Sequence, residues 1–103
     1  MNQAQGLVLR CDSQGNIAEI LSDSINFGAQ IQIGMPFARL AVRGGLEKAL
    51  SFIAELNTLG EAYDWEITFS DGNNAKIMHC TGSKNGESML IVAAESGNAP
   101  ISD

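Results

Sequence analysis

The sequence predicts an α+β fold, with two short strands, a helical middle and three further strands. Apolar residues recur at every second position near both ends of the chain, as half-buried strands require. Between Leu46 and Leu59 they recur instead at three- and four-residue spacings, the mark of an amphipathic helix. Clusters of Asp, Ser, Asn and Gly separate these segments, where the backbone must turn.

In chain order, Leu7, Leu9 and Cys11 share one side of a first strand over 7–11. Residues 12–16, Asp-Ser-Gln-Gly-Asn, form a turn, because Asp12 can accept from nearby backbone N–H groups and Gly15 permits positive φ. A strand over 17–21 completes the hairpin. Ser22, Asp23 and Ser24 are candidate N-caps and predict a short helix through Phe27, stopped by Gly28. From Ala29 to Gly45 the pattern is irregular. Ile31 and Ile33 alternate, Gly34 and Gly44-Gly45 break the chain, and Pro36 can open a helical turn over 35–40.

The longer helix spans 46–59, with Leu46, Ala49, Leu50, Ile53 and Leu56 on one stripe, and Gly60 ends it. Over 62–69, Trp65, Ile67 and Phe69 alternate with Asp64, Glu66 and Thr68. A turn at 70–73 leads into a strand over 75–81, where Ile77 and His79 lie opposite Lys76, Met78 and Cys80. A turn at 82–87 leads into 89–94, which is apolar on both sides and suits the centre of a sheet whose outer face is also covered. Residues 1–95 thus form a single domain, and 96–103 read as a polar tail or linker.

Composition bounds the function. A chain of 103 residues has room for one core, and 45% hydrophobic with 17% charged residues marks it as globular. Twelve acidic against six basic residues give a net charge of −6, which opposes phosphate backbones and anionic lipid, so neither nucleic acid nor a membrane is expected as a partner. No apolar run reaches the roughly 20 residues of a spanning helix and no secretory signal opens the chain, so a cytoplasmic protein is expected. Cys11 and Cys80 lack metal or redox spacing and read as small buried hydrophobes.

Catalysis finds little support. His79 is the one histidine, so neither a two-histidine metal site nor a histidine-rich cluster can be built within one chain. His79 and Cys80 are neighbours on a strand and face opposite ways. No phosphate-loop pattern is present, and the carboxylates are scattered singly. The expectation is no enzyme and no metal.

The order and spacing of these segments, from Leu7 to Glu95, resemble the PAS domain family. The likeness rests on the strand into Asp12-Ser13-Gln14-Gly15-Asn16-Ile17, the segment 22–28, Gly34-Met35-Pro36-Phe37 with Leu40, the helix, and the strand into Asp71-Gly72 with two more strands. The resemblance implies a five-stranded antiparallel sheet in order 2-1-5-4-3, with several short helices and one longer helix on one face, and a pocket between the layers. It further implies a non-catalytic sensory or interaction module of a signal-transduction protein, such as a two-component sensor kinase or a cyclase regulator. Two departures stand out: Ser22 occupies a place where Asn is frequent, and Glu95-Ser96-Gly97-Asn98 replaces the usual Asp-Ile-Thr-like exit.

Relatives that hold haem use a histidine on or near a helix, whereas His79 lies in a strand. The Asn-Cys-Arg-Phe-type motif of flavin photosensors does not occur between Ser22 and Leu46. No cofactor is expected. The candidate ligand-binding residues are Phe52, Trp65, Ile67 and His79, the last as a donor and acceptor on an apolar wall. Four Phe, one Trp and one Tyr leave room for a small organic acid, a fatty fragment or no ligand. Met78, Leu90 and Val92 are candidates for an outer-face homodimer contact, the alternative partner being another domain of the same protein. The competing reading is a ligand-free dimerisation scaffold, resembling roadblock-like proteins.

Overall fold

Hydrogen bonds accepted by one polar side chain shape the first turn. The computed structural model describes residues 6–27, 29, 31–70 and 74–96. β1 (Gly6–Asp12) and β2 (Ile17–Asp23) form the N-terminal hairpin. At its tip the Asp12 carboxylate accepts from the backbone N–H groups of Gln14 (2.9 Å) and Asn16 (3.0 Å), and Gly15 adopts φ +83°. Those hydrogen bonds, above all the one from Asn16, hold the Asp12 carboxyl below its ordinary pKa.

The predicted helix over 22–27 does not form. β2 continues to Asp23, whose carboxylate accepts from the N–H groups of Ile25 and Phe27, and Asn26 takes the left-handed φ of +62°. A left-handed residue three positions after the cap cannot continue a right-handed helix. Its stop at Gly28 lies outside the described residues. Short helical turns do follow, as 3-10 helices at Phe37–Leu40, preceded by Pro36, and Arg43–Gly45.

α1 (Leu46–Leu59) matches the predicted bounds, and Gly60 caps it at φ +82°, its N–H donating to the Leu56 carbonyl. The buried stripe is Ala49, Phe52, Ile53 and Leu56, while Leu46 and Leu50 are exposed. The large Phe52 ring rotates the helix away from the purely aliphatic stripe.

β3 (Glu61–Ser70), β4 (Ala75–Asn85) and β5 (Ser88–Glu95) complete one antiparallel sheet in order β2-β1-β5-β4-β3, the order that the resemblance implies. Most of the predicted turn at 70–73 lies outside the described residues, as does all of the 96–103 tail beyond Ser96. The predicted turn at 82–87 contracts to Gly86-Glu87, because Asn85 still pairs with Ser88 and Gly86 takes φ +68°. Gly82 belongs to β4, where a Cβ would come within 3.0 Å of the Leu56 side chain, so its bareness lets α1 lie close to the sheet.

One face of the sheet carries Leu7, Leu9, Cys11, Ile67, Phe69, Met78, Cys80, Met89, Ile91 and Ala93, all buried against α1 and the 3-10 segment. Burial raises the pKa of both thiols to about 12. Cys11 pairs with Met89 and Cys80 with Ala93, four positions along β5, a separation of roughly 13 Å and too far for a disulfide.

Candidate functional site

The space between α1 and the sheet is spanned by a run of five aromatic rings. Phe27 meets Phe69 at 5.9 Å, Phe69 meets Phe37 at 5.7 Å, Phe37 meets Phe52 at 5.8 Å, and Phe52 meets Trp65 at 5.7 Å. All four contacts are tilted or edge-on, the geometry that ring quadrupoles favour. The local structure explains the assembly: Phe52 sits on the buried stripe of α1, Trp65 and Phe69 on the inward face of β3, and Phe37 on the 3-10 helix that Pro36 opens. Ile67, between Trp65 and Phe69 on that inward face, is fully buried. Trp65 is half-buried and closes the run at the surface.

Of the sequence-predicted site residues, the structure therefore brings Phe52, Trp65 and Ile67 onto one apolar wall. It does not bring His79 to them. Met78 and Cys80 point into the core, so His79 between them points out, on the far side of the sheet. Its Nδ1 lies 2.7 Å from Oδ1 of Asp64, with the two side chains 41% and 75% exposed. The same parity moves Met78 off the outer face, where it was expected to join Leu90 and Val92, and buries it completely.

The Asp64–His79 pair depends on a β-bulge. Ala62 pairs with Gly82 and Trp65 with Cys80, so β3 carries one extra residue against Thr81. Asp64 absorbs it at φ +56°, with its N–H donating to Thr81 Oγ1 at 3.0 Å. The inward side of the sheet is apolar apart from the Lys76–Glu95 ion pair (3.4 Å) at the end of β4 and β5, and no polar or charged residue among the described ones is fully buried. The outer face holds an apolar centre, Leu90 and Val92 on central strand β5, beside Val8 on β1. Leu90 and Val92 are 42% and 41% exposed, so the two-sided apolarity of β5 is not covered within the chain.

Comparison with known proteins places this architecture. No protein-family model matches the chain, and no curated protein does. Among solved structures, the PAS domain of the Cronobacter turicensis quorum-sensing receptor RpfR, determined in complex with BDSF, superposes with a TM-score of 0.74 over 93% of this chain and 98% of that one, at 14% identity. The chain has a PAS-like fold. No helix among the described residues is long and apolar enough to cross a membrane.

Proposed function

We propose that the chain is a non-catalytic sensory module of a signal-transduction protein, which binds a small apolar ligand between α1 and the sheet. The observation that carries this reading is the aromatic run from Phe27 to Trp65, which fills the inter-layer space with rings rather than with polar or charged groups. Such a wall accepts an apolar body by shifting rings. It offers no buried partner to a polar head, which would stay at the rim near Trp65. Phe52, Trp65 and Ile67 form the contact set, and His79 is outside it. The likeness to a receptor domain solved with BDSF supports a ligand-sensing use of this fold. Signalling proceeds by population shift, the ligand stabilising one arrangement of α1 against the sheet and so of the flanking chain.

A second reading is favoured by the exposed Leu90 and Val92, which suit a homodimer contact through the outer face, with or without ligand. Native mass spectrometry of the freshly purified protein separates the two. An extra mass that disappears on denaturation is expected for the sensor. A dimer carrying no added mass, even after incubation with cell extract, sinks the sensor reading and leaves the scaffold.

A further inference from the structure

Where the aromatic run reaches the surface, α1 and β3 frame an open groove of about 320 Å3, lined by Ser51, Ala54, Glu55, Thr58, Leu59 and Trp65. We propose that this groove binds a small organic ammonium ion, held between the Trp65 indole and the Glu55 carboxylate. Four features carry the inference.

Glu55 is the single charged group in the lining, is half-buried, and has no hydrogen-bond or ion-pair partner among the described residues. A partly desolvated carboxylate without a partner attracts a cation more strongly than one in open water. Trp65 is the only tryptophan of the chain, it is half-buried and lines the same groove as that carboxylate, and indole is the aromatic side chain that binds cations best. The hydroxyls of Ser51 and Thr58 and the apolar Leu59 add a polar edge and a surface for short alkyl groups. The net charge of −6 biases the whole surface toward cations.

An ion in this groove touches the same indole that meets Phe52 at 5.7 Å, so its arrival is felt at the end of the aromatic run. The proposal does not depend on an apolar ligand occupying the core.

The test uses the complete chain and the emission of its single tryptophan, with choline as the probe and 3,3-dimethylbutan-1-ol as the uncharged isostere, at matched ionic strength. Choline is expected to shift Trp65 emission saturably, with a dissociation constant on the order of millimolar, and the alcohol to bind at least about tenfold more weakly. Glu55→Gln is expected to weaken choline binding by about tenfold while the thermal midpoint stays put, because Glu55 holds no other group. Absence of a saturable shift, equal binding of choline and the alcohol, or unchanged binding to Glu55→Gln each overturns the proposal. Tighter binding of Nα-acetyl-lysine amide than of choline also overturns it, since the groove would then suit a lysine of a partner protein.

Discussion

Phe52 and His79 were both candidates for one apolar wall, and the structure gives them opposite environments. Phe52 is fully buried between Phe37 and Trp65, so Phe52→Ala removes a whole ring from a close-packed layer. The expected loss is about 3–5 kcal/mol, read as a fall in the urea midpoint with an unchanged slope. His79 is paired with Asp64 in an exposed contact, so His79→Ala should cost under about 1 kcal/mol. A large loss from His79→Ala with a small one from Phe52→Ala would show that the layers are assigned the wrong way round. The sequence carried the alternation of β4 but not its sense. Each parity class there contains apolar residues, Ile77 in one and Met78 with Cys80 in the other, and a period of two cannot choose between them. The bulge that brings Asp64 to His79 was equally hidden, because its one extra residue shows only against the partner strand.

At the scale of elements, α1 was legible to the residue because its periodicity is strong and Gly60 caps it. The strands ran longer than their apolar cores, since Ser83, Lys84 and Asn85 pair along the β4–β5 ladder without contributing hydrophobic signal. Gly82 misled for a specific reason: glycine marks turns, and it also marks places where another element comes close. The second use applies, and it gives a sharp expectation. In Gly82→Ala the new Cβ would lie 3.0 and 3.1 Å from the two δ-carbons of Leu56 and 3.2 Å from the Leu90 carbonyl. Overpacking of this kind should destabilise by about 1–3 kcal/mol. In a Leu56→Val background both δ-carbons are gone, and the same substitution should cost at least about 1 kcal/mol less. Equal costs in the two backgrounds, measured by chemical denaturation, would mean that the close approach of α1 does not dictate glycine here.

For the whole molecule, the central place of β5 was readable from its two-sided apolarity and the full strand order only from the family resemblance, but what covers the outer side of β5 was not, because a sequence does not distinguish burial within a chain from burial between chains. Across the outer face, Val92 pairs with Val8 on one side and Thr81 on the other, and Leu90 with Arg10 and Ser83. Toward the edges lie polar groups already engaged, Arg10 with Glu19 at 3.0 Å and His79 with Asp64 at 2.7 Å. An apolar centre ringed by polar groups is what a self-complementary two-fold contact needs. On the homodimer reading, sedimentation equilibrium at micromolar concentrations should show a dimer, and Val92→Lys with Leu90→Lys should return it to a monomer by setting four like charges in a desolvated patch. Both side chains are about two-fifths exposed in the single chain, so the same double substitution should leave the core intact and retain the near-ultraviolet signature of packed aromatic rings. A wild-type chain that stays monomeric under these conditions, or a doubly substituted one that stays dimeric, would remove the outer face from the signalling mechanism and leave the ligand acting through α1 alone.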